Sequence, residues 1–155
     1  MKTCRKFFGV AAMLMALAVS AQQTRDAVLV VIVNPANPVA SMSKADLHKV
    51  FAGDKTTWSN GLPIIPYLRS APAHERDVLL STVMKMTDIE YQEYWVKKIY
   101  SGQSVREPIQ LRSAALLLEA VRSQKGGIAL INVTEVKSGV KIIPIEDLFP
   151  GVASR

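Results

Sequence analysis

Arg69 ends a short apolar run, and a helix start follows it by about three residues. That placement suits a small oxyanion. The first turn of a helix presents N–H groups without intrahelical partners and a partial positive charge. An arginine fork adds bidentate, charge-assisted bonds to a tetrahedral anion. Within the intervening "RSAPAHER" (69–76), Ser70 offers a hydroxyl and His74 an imidazole, while Pro72 has no N–H to give. Arg69, Ser70 and His74 are therefore the candidate ligand-binding residues.

Other chemistry is poorly supplied. The chain has two histidines, and no second ligand is spaced to join His48 at a metal. Its single cysteine is Cys4, so the body of the chain has no thiol nucleophile, disulfide or thiolate metal site. There is no Gly-x-Ser-x-Gly elbow, no His-Glu-x-x-His and no phosphate-cradling Gly-x-x-x-x-Gly-Lys loop. Glu75 adjoins His74, but neighbours on a helix point apart. Neither catalysis nor a cofactor or metal is expected.

The elements that would position Arg69 are legible in outline. "AVLVVIV" (27–33) is a continuous β-branched run ended by Asn34-Pro35, as in a strand buried on both faces in the middle of a parallel sheet. Ser43 is placed to cap a helix carrying Leu47, Val50 and Phe51, which Gly53 closes. Residues 62–68 form a second strand, with Pro63 and Pro66 pointing to a strand end or an irregular edge. Between them lies a loop with one tryptophan, Trp58, expected to cover the core edge with its indole N–H in water. A helical region spans about 72–84, and Thr87-Asp-Ile-Glu90 is a capping box opening a helix to Tyr100. That helix has two apolar stripes, Tyr91/Trp95/Ile99 and Ile89/Val96/Tyr100, so it packs on two sides or leaves one stripe for a partner protein. Ser113 caps a further helix, "IALI" (128–131) follows Gly126-Gly127 as a strand, and "VKIIPI" (140–145) is one more. The order β-α-β-α-α-α-β-β predicts an α/β domain with helices over a small, mainly parallel sheet.

The N-terminus carries an address. Lys2, Arg5 and Lys6 precede an uncharged, mostly apolar run from Phe7 to Val19, and Val19-Ser20-Ala21 places small residues for cleavage after Ala21. Residues 1–21 are expected to be a signal peptide and 22–155 one domain in the periplasm or secreted. The apolar run is shorter than the roughly 20 residues of a membrane span. Cys4 lies before the run rather than after it, so no lipid anchor is expected. The formal net charge of +6 falls by three without Lys2, Arg5 and Lys6, and no basic run remains to mark a nucleic-acid surface.

One series of residues resembles a known family. Leu47, Phe51 and Gly53, then Trp58, Gly61 and a strand ending in Arg69, are followed by Tyr94-Trp95 in a helix, Gly102, and Ser113 before a helix ending in "GGIAL". Together they resemble the PBP-like domain of periplasmic phosphate-binding proteins, the solute receptors of ABC transporters, over roughly residues 27–133. The resemblance implies one lobe of a type II periplasmic-binding-protein fold and non-catalytic recognition of phosphate or another small oxyanion, linked to a membrane transporter or sensor. It also implies that the strand-end arginine, here Arg69, touches the anion. The family's Gly-Ser-Gly-Thr-like turn is replaced here by "SAPAHER". A lobe that has lost that turn could instead serve as a periplasmic protein-interaction module.

Overall fold

The computed structural model describes residues 28–146 apart from Val105, so the expected signal segment and its cleavage site lie outside the described residues. Five strands form one mixed sheet in the order β4-β3-β5-β1-β6. These are β1 Leu29–Val33, β3 Ile65–Arg69, β4 Ile109–Leu111, β5 Gly127–Asn132 and β6 Lys141–Ile143. Two short strands, β2 Met42–Ser43 and β7 Ile145–Glu146, pair in parallel beside it. The helices are α1 Lys44–Phe51, α2 His74–Val78, α3 Asp88–Tyr100 and α4 Ala114–Ser123, and α2 runs on into a π-helical turn, Leu79–Met84.

The alternation of strand residues decides the layers. Leu29, Val31 and Val33 of β1, with Ile128 and Leu130 of β5, face α1, the α2 region and α3. Ile32 of β1 and Ala129 and Ile131 of β5 face Leu117, Leu118 and Val121 of α4. Both faces are covered, which explains the unbroken apolar runs of β1 and of residues 128–131 in β5. The direction of β1 differs from the expectation: it is central, but antiparallel to both β5 and β6. Four of the five strands share one direction and β1 alone opposes them. Burial on both faces, not strand direction, is what the apolar run encodes.

The helix starts follow their sequence signals. Ser43 accepts a bond from the Asp46 amide, Thr87 and Glu90 form the reciprocal capping box, and Ser113 accepts from Leu116. Pro66 lies inside β3, opposite Ile128 of β5, rather than at an edge. The Ile65 amide donates to Gly126 of the β5 side, so the Pro66 nitrogen faces the other way, and β4 begins only opposite Tyr67. The missing N–H therefore falls where no strand needs it.

Trp58 is buried, and its indole N–H is not in water as expected: it donates to the Gly126 carbonyl at 3.1 Å. The same carbonyl accepts from the Ile65 amide at 3.0 Å. A Cβ on Gly126 would lie 1.8 Å from the Pro63 carbonyl, so glycine is required for this approach. Trp58 thus fastens the loop before β3 to the start of β5.

The end of α1 is held by α3. Tyr91 Oη donates to the Phe51 carbonyl at 2.8 Å, and Tyr94 Oη and Lys98 Nζ both reach the Ala52 carbonyl. Lys98, itself buried, also pairs with Asp54. A cation at the carboxyl end of a helix complements its dipole. Gly53 (φ +72°) turns the chain away there, and a Cβ would sit 2.6 Å from the Trp95 ring. With Tyr91 and Trp95 buried in this way, the second stripe of α3 stays open: Ile89 is 70% exposed and Tyr100 88%. Of the two packings open to this helix, the one with an uncovered stripe is found.

Candidate functional site

Strands β4, β3 and β5 run parallel, so their carboxyl ends emerge together at one edge of the sheet. Such edges are where α/β folds hold ligands. Arg69 closes β3 there, opposite Leu111 of β4. Its side chain is half-buried, and its Nε, although shielded from solvent, has no hydrogen-bond partner. None of the ion pairs among the described residues involves it. A guanidinium N–H buried without a partner is costly and uncommon, and a bound anion would satisfy it.

Ser70 continues from Arg69, but its backbone amide is already given to the Leu111 carbonyl at 3.0 Å. His74 is the first residue of α2 and is exposed. No hydrogen bond joins the Arg69, Ser70 and His74 side chains among the described residues. The structure thus brings Arg69 and Ser70 to the strand end and leaves His74 on the helix start above them. The residue before α2, Ala73, makes no side-chain capping bond, so the first N–H groups of this helix have no side-chain acceptor.

Three charged residues of the same region were not among the candidate ligand-binding residues. Arg76 is 1% exposed. It pairs through Nε with Asp88 of α3 and donates from one terminal nitrogen to the Arg69 carbonyl at 3.2 Å and to Gln110 of β4 at 3.4 Å. It braces the ends of β3 and β4 and thereby fixes the backbone of Arg69. Its signal was available: residues 76, 79, 80 and 83 follow helical spacing, and Leu79, Leu80 and Val83 are all buried. Glu75 is 8% exposed. Glu135 belongs to the 3-10 turn Val133–Glu135 that follows β5 and lies near Glu75. Burial pushes Glu135 above the usual carboxylate range; the Glu75 contact and charge add to this, and Arg69 opposes it. No sequence pattern announces Glu135, since only the course of the chain after β5 returns it to Glu75.

A mixed sheet with helices on both faces, and a charged cluster at the carboxyl ends of its parallel strands, define one lobe of a solute-binding protein fold. The chain belongs to the PBP superfamily domain family, whose model matches residues 24–142. Its fold is similar to that of an ABC-type phosphate transport receptor from Vibrio cholerae, with 21% identity, a TM-score of 0.59, and coverage of 77% of this chain and 46% of that one. It is also similar to a putative phosphate ABC transporter substrate-binding protein with bound phosphate from Clostridium perfringens, at 16% identity and a TM-score of 0.61, covering 76% and 44%. A possible phosphate binding protein from Planctomyces limnophilus matches at 22% identity and a TM-score of 0.57, covering 77% and 41%. At these identities the likeness concerns the fold. The chain spans less than half the length of each of these proteins, all of which are named as receptors or binding proteins and none as an enzyme. No curated protein is similar to it in sequence.

Proposed function

We propose that this chain is a solute-binding lobe for small oxyanions, phosphate first, exported to the periplasm or beyond and working with an ABC-type transporter or a membrane sensor. The observation that carries the proposal is the buried, unpartnered Nε of Arg69 at the carboxyl end of β3. The uncapped start of α2 stands next to it in the chain, and the matched receptors supply the ligand class by name. The anion sits between the Arg69 guanidinium and the first turn of α2, with Ser70 and His74 at its margin.

The site is open and lacks a glycine-rich turn, so affinity for phosphate is expected at about 0.1–1 mM, or roughly −4 to −5 kcal/mol. It falls further with salt, because exposed charges are screened within about 10 Å at 0.1 M. Arg69→Ala removes binding, and Arg69→Lys restores only part of it, since lysine cannot form the bidentate fork. Titration of the three proteins with phosphate at two ionic strengths tests this. Equal binding by wild type and Arg69→Ala would remove the oxyanion assignment.

A second reading rests on the uncovered Ile89/Val96/Tyr100 stripe of α3: a protein-interaction module that no longer binds a solute. It gains if phosphate, sulfate and carboxylates all fail to bind at millimolar concentration. Export has its own test. Intact mass of the protein recovered from the producing cell's exterior or periplasm should correspond to a chain beginning at Gln22; retention of Met1, or a lipid carried on Cys4, would remove the assignment to that compartment.

A further inference from the structure

The face of α3 that the core leaves uncovered is ordered. Ile89, Val96 and Tyr100 lie within about 40° of one another around the helix axis at 3.6 residues per turn, and they are 70%, 54% and 88% exposed. Glu93 and Lys97 border this stripe on one flank, Gln92 and Ile99 on the other. Glu93 and Lys97 are both exposed, and neither enters an ion pair among the described residues. The buried residues Tyr91, Trp95 and Lys98 occupy the opposite side of the helix, so the stripe points away from the rest of the fold. We propose that this stripe is the contact surface for a second copy of the chain, with the two α3 helices packed antiparallel across a two-fold axis. The proposal is independent of the oxyanion reading.

The order of the charges selects that partner and that direction. In an antiparallel pair related by a two-fold axis, the same flank of each helix meets itself with its order reversed. The flank that reads Glu93 then Lys97 therefore sets Glu93 against the partner's Lys97, and does so twice. A parallel pair would set this flank against Gln92 and Ile99 and leave both charges unmatched. The same axis, level with Trp95, places Ile89 opposite the partner's Tyr100 at both ends and brings the two Val96 side chains together near the middle. Apolar and charged residues are thus matched by one operation. Such a contact is isologous: one patch meets itself, and the assembly closes at two copies.

The size of the surface sets its strength. Thirteen residues form α3, which makes it about 20 Å long. One helix face of that length buries less than the roughly 1,200 Å² in total that specific, stable interfaces reach. The dimer is therefore weak and its population rises with protein concentration.

Sedimentation equilibrium of the protein from micromolar to millimolar concentration tests this, with Glu93→Lys and Lys97→Glu as variants. Both positions are exposed, so the core is untouched. Wild type is expected to approach a dimer and no larger species. Each single variant sets like charges against each other at both contacts and should weaken association by about tenfold, since two exposed pairs turn from attraction to repulsion. Mixing the two variants in equal amounts should restore association, because every contact in the mixed dimer again joins an acid to a base. The double variant Glu93→Lys/Lys97→Glu should associate as wild type does. A monomer at every concentration overturns the proposal and leaves the stripe to a different protein. Association that the single variants do not weaken, or that mixing does not restore, places the contact elsewhere and overturns it as well.

Discussion

Trp58→Ala is expected to lower the unfolding free energy by about 3–5 kcal/mol, the range for removing a buried large aromatic. Two losses add. The ring leaves a void in the cluster with Phe51 and Leu68, and the Gly126 carbonyl loses one of its two donors. Trp58→Phe separates them: it keeps most of the apolar volume and forfeits the indole bond, which is worth about 1 kcal/mol net. Urea unfolding of the three proteins measures both. A midpoint unchanged by Trp58→Ala, together with lost phosphate binding, would mean that the indole serves the ligand rather than the fold.

The second large effect concerns Arg76 and Asp88, and it is asymmetric. Asp88 is 39% exposed at its side chain and Arg76 only 2%. Removing the acid by Asp88→Ala strands a buried cation, which costs about 3 kcal/mol, at the low end for breaking a buried pair because its partner is open to water. Arg76→Met fills most of the volume and leaves Asp88 to water, so it should cost less, about 1–2 kcal/mol. The double variant should be more stable than the sum of the two single effects predicts, since its second change removes the stranded charge. A double-mutant cycle in urea reads this. Arg76→Met should also weaken phosphate binding, because the Arg69 carbonyl loses its brace. Equal costs for the two single changes would contradict the burial asymmetry.

How much of this was open to the sequence varied by scale. Local signals were clear wherever one side chain satisfies its own backbone, as Ser43, Thr87 with Glu90, and Ser113 do. The apolar runs identified β1 and β5 and their double burial. Strands β2 and β4 are too short to carry a period, two and three residues, and β1 gave its environment but not its direction. Trp58 looked like an amphipathic loop residue because its acceptor lies 68 positions away. Arg69 was placed correctly at the strand end by chain order alone. Its surroundings were not, since Glu135 reaches Glu75 only through the path of β5 and the turn after it. Arg76 was passed over for another reason: a charge on an apolar stripe looks like an interruption of the stripe until its partners, from α3, β3 and β4, are known.

The place of β1 governs how the molecule can be assembled. It is the first strand among the described residues and the second from the sheet's edge, and its ladder partners lie in β5 and β6, with Leu29 opposite Asn132 and Val31 opposite Ile143. A chain made from its amino end therefore completes α1, β3 and α3 while its most apolar strand still waits for a neighbour. Closure of a loop this long is slow relative to local helix formation. Such a polypeptide stays unclosed until β5 and β6 have been synthesised, and under the proposed export that delay would be an advantage, because a membrane channel for unfolded chains admits only what has not yet folded.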